Sequence, residues 1–180
     1  MEVTTYEAFP TLLYELNFTS DLVDASRKEL DTFRDIGLPS VAYGYYTSYN
    51  NPWRLNVGPA TSEITDTIQN TISRHIGKQY VIDNSWVNYM PKGTTHSMHR
   101  HGDDFMKSVI IYYDDIGETH FFDPRVQIYN EDAEKISAKK GKCIVFPSWV
   151  MHEVPQHYED VDRVSISLNL CQAFRKGGVE

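Results

Sequence analysis

The chain is poor in cysteine and in positive charge, and it holds no long apolar run. Cys143 and Cys171 are its only cysteines in 180 residues, and both sit in apolar stretches, GKCIVF and LNLCQAF. That excludes a disulfide-stapled mini-fold and makes the thiols core fillers rather than a redox or ligand pair. Seventeen Lys and Arg against twenty-five Asp and Glu leave a formal charge of -8. Such a balance opposes a sequence-independent grip on nucleic acid or on an anionic membrane, both of which need positive surface. No stretch approaches the roughly 20 apolar residues that cross a bilayer, and no lysine-flanked apolar segment opens the chain as a secretion signal. A reducing cytoplasm is the compartment this predicts. Phosphate-binding and dinucleotide-binding glycine patterns are missing too, so ATP, GTP and NAD have no support.

What the chain does have is two helical patterns followed by a β-rich half. TSDLVDASRKELDTFRDIG predicts a helix capped by Thr19 or Ser20, with Leu22, Ala25, Leu30 and Phe33 as its apolar stripe and Gly37 as its end. TSEITDTIQNTISRHIG predicts a second, in which Ile64, Ile68, Ile72 and Ile76 recur before Gly77, a narrow face suited to lying on a sheet. Between them, the Tyr-, Asn- and Gly-rich segment around 43–53 reads as strand plus loop, its tyrosines either packed or lining a substrate edge. From residue 79 come six β-rich runs: QYVIDNSWVNYM, KSVIIYYDD, THFFDP, RVQIYN, GKCIVFPSW and DRVSISLNLCQAF. Turn residues separate them, which describes an antiparallel sandwich or barrel. A helical support over about 19–76 and a β core over about 79–172 make residues 1–180 one domain, with hydrophobic content of 41% sufficient for a single core.

Three of the seven histidines and two aspartates crowd into THSMHRHGDD, residues 95–104. Residues two apart on an extended strand share a face, so His99, His101 and Asp103 converge if the stretch stays extended. Imidazole and carboxylate so arranged suit iron, manganese or zinc, and one distant ligand more would leave coordination positions open. His152 in FPSWVMHEV is that distant candidate. Eleven residues later, Arg163 and Ser165 in RVSIS share a strand face, where a guanidinium fork and a hydroxyl can receive one carboxylate. His75, His120 and His157 lack such company and read as surface or hydrogen-bonded residues.

Taken together, the HxH or HxD pair, distal His152 and Arg163 in RVSIS resemble the iron(II)- and 2-oxoglutarate-dependent oxygenases. WVNYMPKG, HRHG, the strand ending IIYY, FFDPR, FPSWVMHEVP and RVSISLN are similar to a family of such oxygenases in phage and bacteria, related to the prolyl hydroxylases. FPTLLYELNF matches that family's opening, and the resemblance spans about residues 80–170. It implies a fold that is mainly β with supporting helices, the double-stranded β-helix or jelly roll, with Fe(II) and 2-oxoglutarate held between its sheets. It implies hydroxylation of a substrate with release of succinate and carbon dioxide. In that scheme Arg163, assisted by Ser165, clamps the distal carboxylate of 2-oxoglutarate. Asn88 and Tyr112 line the cosubstrate pocket, alternation allowing Tyr112 or Tyr113 inward but not both, and Lys107 is a further candidate cation. Pro147 and Trp149 turn and pack the segment presenting His152, Asp123, Pro124 and Arg125 form a strand-ending turn, with Arg125 alternatively facing the substrate, and Glu118 in GETHF has structural weight.

Two ligand registers stand open. The positions of Asn88, Gly93 and His99 resemble the NxYxPG and HxD arrangement of nucleic-acid-demethylating relatives, which makes His99 and His101 ligands in an all-histidine set with His152. The other register pairs His101 with Asp103, giving the two-histidine, one-carboxylate face common on such iron sites. His101 and His152 are ligands in both. Two other readings share part of the pattern: a cupin-like metal-binding jelly roll, which has no need of Arg163 with Ser165, and a non-enzymatic β-sandwich of structural or adaptor type. The acidic balance favours a protein side chain or a small molecule as substrate over nucleic acid.

Overall fold

The computed structural model describes residues 10–36, 41–42, 44–49, 57–102, 106–123 and 133–173. In chain order these form β1 (Tyr14–Asn17), α1 (Ser20–Ile36), β2 (Val41–Ala42), β3 (Tyr45–Thr47), α2 (Pro59–Ile76), β4 (Tyr80–Met90), β5 (His96–His99), β6 (Met106–Tyr112), β7 (Glu118–Phe122), β8 (Glu134–Ser137), β9 (Lys142–Pro147), β10 (Met151–Val154) and β11 (Arg163–Gln172). Seven strands make one sheet in the order β1-β9-β6-β11-β4-β3-β2, and four make a second, β5-β10-β7-β8. The pairings are antiparallel, and the two-sheet architecture is a jelly roll, as the strand pattern predicted.

Alternation along β11 sorts the two sides of the large sheet. Val164, Ile166, Leu168 and Leu170 are fully buried with α1 and α2 in the outer core. Arg163, Ser165, Ser167 and Asn169 face the other way, toward the small sheet. A long strand buried on both faces is placed at the centre, and β11 pairs with β4 from Arg163↔Met90 to Gln172↔Tyr80 and with β6 from Ser165↔Tyr112 to Cys171↔Met106. A smaller apolar cluster of Ile110, Tyr112, Phe121, Ile144, Phe146 and Val150 seals one part of the space between the sheets.

Helix α2 follows its predicted stripe: Ile64, Ile68 and Ile72 are buried, and Gly77 closes it at φ 72, the left-handed conformation that a glycine adopts without strain. It starts earlier than predicted, at Pro59, a residue suited to the first turn because it has no N–H to leave unpaired. The orphan donors of that turn go to α1: Ala60 N and Thr61 N donate to the Glu29 carboxylate at 2.9 and 2.8 Å. Gly58 permits this, since a Cβ there would lie 2.2 Å from Glu29 Cδ. In α1 the predicted stripe is corrected. Ala25 is exposed, and the buried face runs through Val23, Ser26 and Leu30. Ser26 is taken inward because its hydroxyl has partners there, Thr61 Oγ1 at 2.8 Å and Tyr113 OH at 2.7 Å.

Of the six predicted runs, RVQIYN lies outside the described residues, as do Gly37, Pro124 and Arg125. Strands β1 and β8 were not predicted; each is only four residues long, too short for alternation to stand out. Cys143 is fully buried and Cys171 half-buried, and both are free thiols; burial pushes the Cys143 thiol up. No helix among the described residues is long and apolar enough to cross a membrane.

Candidate metal centre

Strands β5 and β10 sit side by side in the small sheet with His99 opposite His152. Continuing the chain past β5 brings His101 back to the same point. Ligand atoms of His99, His101 and His152 all lie within 4.8 Å of one another. Two of the rings are oriented by their own strands. His99 Nδ1 is 2.7 Å from Ser97 O, and His152 Nδ1 is 3.0 Å from Val150 O. A carbonyl only accepts, so each Nδ1 carries the proton and each Nε2 keeps its lone pair for a metal. Asp103 lies outside the described residues.

Desolvation is the main cause of the lowered pKa at all three histidines, and neighbouring imidazoles lower His101 and His152 further, to about 4 and about 3 from 6.5. The rings are therefore neutral at pH 7, as metal ligation requires. The same shifts set a pH dependence. The unfolded chain takes these protons near pH 6.5 and the folded chain only near 4 to 3, so stability is full above 6.5 and falls as pH drops toward 3. The melting temperature of the metal-free protein should fall on acidification from pH 7 to 4, more steeply than that of a His152→Ala variant. Superimposable slopes in the two proteins would exclude this origin.

A fourth histidine, His96, was missed as a site residue. On a regular strand His96 and His99 would face opposite sides. Here His152 pairs with His99 but Val154 pairs with His96, so β5 carries an extra residue and both rings turn inward. His96 stacks on His99 with ring centroids 4.1 Å apart, and its Nδ1 bonds to the Tyr45 hydroxyl from the large sheet. The HxxH spacing was legible; the bulge that gives it meaning was not. Trp86 was also unassigned, and its ring lies 5.6 Å from that of His101, with half-exposed Tyr49 edge-on to it at 5.0 Å.

The three histidines share one solvent-open cavity with Arg163, Ser165 and Asn88. Arg163 is 1% exposed. Its NH1 donates to Glu118 O at 2.9 Å and its NH2 to Thr119 Oγ1 at 3.2 Å, while Nε is buried without a partner. Both partners are neutral, and among the described residues no carboxylate lies within ion-pair distance of the guanidinium. Burial pushes its pKa down, yet a guanidinium stays charged at neutral pH. Beneath it Tyr112 donates its hydroxyl to Thr119 Oγ1 at 2.8 Å, with the Arg163 guanidinium 5.7 Å from its ring. Tyr113 points to α1 instead, so alternation gives Tyr112 the inward view. Asn88 Oδ1 accepts from Thr47 Oγ1 at 2.8 Å, and Ser165 is 6% exposed.

Lys107 is not near this anion end. It sits opposite Pro147 and Leu170 on the face of β6 shared with Val109 and Ile111, where Lys78 is its charged neighbour. Strand alternation, which placed Arg163 inward, places Lys107 outward. Of the remaining histidines, His75 is exposed beside Tyr14, His120 lies 2.6 Å from Glu118 Oε1 and 3.2 Å from Glu153 Oε1, and buried His157 donates Nε2 to Met90 O. Pro147 O accepts from Val150 N in the turn that leads to His152.

Residues 84–169 match a family model described as "Putative 2OG-Fe(II) oxygenase". No curated protein matches the chain in sequence. Among solved structures, HygX from Streptomyces hygroscopicus with nickel and 2-oxoglutarate bound is similar with a TM-score of 0.70 at 12% identity, covering 91% of this chain and 84% of that one. A Pseudomonas putida prolyl-4-hydroxylase has a TM-score of 0.65 at 18% identity over 91% and 94% of the two chains. The viral collagen prolyl hydroxylase from Paramecium Bursaria Chlorella virus-1, a 2-oxoglutarate complex, has 0.65 at 13% over 88% and 96%. At these identities the likeness is one of fold.

Proposed function

From the match of residues 84–169 to the 2OG-Fe(II) oxygenase model, we propose that this chain is an iron(II)- and 2-oxoglutarate-dependent dioxygenase that hydroxylates a protein side chain or a small molecule. The observation that carries this reading is one cavity holding three convergent neutral imidazoles and a buried guanidinium bonded only to neutral groups. Either feature alone is compatible with a purely structural role; together they ask for a cation and a carboxylate in the same space.

The donor set fits iron. His99, His101 and His152 would hold it through their free ring nitrogens, leaving the remaining positions for exogenous ligands. Iron(II) and 2-oxoglutarate, when bound, would supply the chemistry by which dioxygen is divided, one oxygen atom entering succinate as 2-oxoglutarate loses carbon dioxide and the other hydroxylating the substrate. The chain's own part is binding and orientation. Arg163 receives the distal carboxylate, with Nε unsatisfied until an acceptor arrives, and Ser165 adds a hydroxyl from the same face of β11. Thr119 and Tyr112 hold the guanidinium from below. The apolar cluster of Phe121, Phe146 and Ile110 walls off water from one side of the histidines.

The all-histidine set is the register proposed, because His99 faces His152 and both have their tautomers fixed for ligation. His99→Ala should therefore lower iron affinity by more than about 10-fold, whereas Asp103→Ala should leave it within about 3-fold. Equilibrium dialysis of both variants measures this, and the reverse ranking would assign the carboxylate as ligand. The function itself is tested by succinate formation that requires both iron(II) and 2-oxoglutarate; none above the metal-free control would overturn it.

A further inference from the structure

The three candidate ligands are not supported alike. His99 and His152 each hold a carbonyl of their own strand, two residues back. His101 lies beyond the end of β5, and its ring has no hydrogen-bond partner among the described residues. Its main chain is what is held: His101 N donates to Ser148 O at 2.9 Å. Ser148 is fully buried, and its own N–H donates to Met106 O at 3.2 Å.

From Ser148 a line of side chains runs across the large sheet. Ser108 Oγ lies 2.9 Å from Ser148 Oγ and 2.8 Å from Asn169 Oδ1, and Asn169 Nδ2 donates to Asn84 Oδ1 at 2.9 Å. A hydroxyl has one proton, and Asn169 Oδ1 only accepts. Ser108 Oγ is the donor placed toward both Asn169 Oδ1 and Ser148 Oγ, and its one proton serves one of these two acceptors at a time. Ser108 is 2% and Asn169 5% exposed, so a broken link leaves a polar atom without water to replace it. The two residues sit opposite one another on β6 and β11, at the centre of the sheet and in the wall of the metal cavity.

We propose that Ser108 and Asn169 are positioning residues for the metal centre, a buried strut from β4 and β11 through Ser148 to the backbone of His101. The proposal rests on the metal-centre reading above. A ligand carried on irregular chain loses backbone freedom when it binds, and that entropy opposes binding. A strut anchored in the most extensively paired strand removes that freedom beforehand.

Cobalt(II) is the probe, because its visible absorption reports ligand geometry independently of turnover. In the full chain, Ser108→Ala should raise the cobalt dissociation constant about 10- to 100-fold, the range for losing an outer-sphere partner, and alter the visible band. Asn84→Ala, at the half-buried far end of the strut, should act in the same direction with a smaller effect. Ser26→Ala removes a buried hydroxyl bonded between α1, α2 and Tyr113, and should lower the melting temperature while leaving cobalt affinity and spectrum unchanged. A folded Ser108→Ala protein with wild-type affinity and spectrum overturns the strut, as does a Ser26→Ala protein that loses cobalt equally. Should Ser108→Ala not fold, a wild-type cobalt spectrum in Asn84→Ala overturns it. Wild-type protein that takes up no cobalt would sink the metal-centre reading and the strut with it.

Discussion

His152→Ala is expected to abolish iron- and 2-oxoglutarate-dependent succinate formation and to weaken metal binding by more than the roughly 100-fold that loss of an outer-sphere partner costs. The residue is 3% exposed, lies opposite His99 on the neighbouring strand and has its Nδ1 proton committed to Val150 O. No other described side chain stands ready to replace it, because His96 stacks on His99 and is bonded to Tyr45. Folding should survive. The substitution leaves a small void beside Phe121 and Phe146, but it also removes an imidazole buried at a cost. Metal titration and succinate release, with a melting curve to establish the fold, measure the outcome; full succinate production by the variant would overturn the assignment.

Arg163→Met should leave metal affinity near the wild-type value and raise the concentration of 2-oxoglutarate needed for half-saturation about 100-fold. That factor corresponds to about 2.7 kcal/mol, within the range for hydrogen bonds made to a charged group. Methionine approximates the buried volume and removes the charge, so the change tests electrostatics with less packing damage than alanine. Two bonds to the protein go with it, to Glu118 O and Thr119 Oγ1, which predicts a lower melting temperature in the same variant. Anaerobic titration of the metal-loaded protein with 2-oxoglutarate separates the two effects, since binding is read on the folded fraction. Unchanged affinity for 2-oxoglutarate would remove Arg163 from the site.

Several parts of this site could be read along the chain because each rests on a local period. Alternation alone makes Arg163 and Ser165 share a face and puts Tyr112 and Tyr113 on opposite ones. The four-residue recurrence of isoleucine marked the face of α2 that is buried. Alternation, applied to Lys107, would have removed it from the site. Reading charge without face kept it in.

Other parts depend on which elements meet. Ser26 looked like a polar position on α1, yet it is buried because Thr61 on α2 and Tyr113 at the end of β6 offer it partners. His96 joins the histidine cluster only through the extra residue in β5, and an irregularity of pairing is a property of two strands together.

The sequence by itself determined the strand-rich class, the two helices and the residue types able to bind a metal and a carboxylate, since these follow from short-range periodicity and side-chain chemistry. Only the tertiary structure decided that β5 and β10 lie side by side, that His101 is held through Ser148 to Asn169, and that Arg163 meets neutral partners in place of an acid. The physical reason is that these contacts join positions from 40 to 61 residues apart. Which of many possible distant partners is met is fixed by burial of the whole sheet, and no local stretch carries that information.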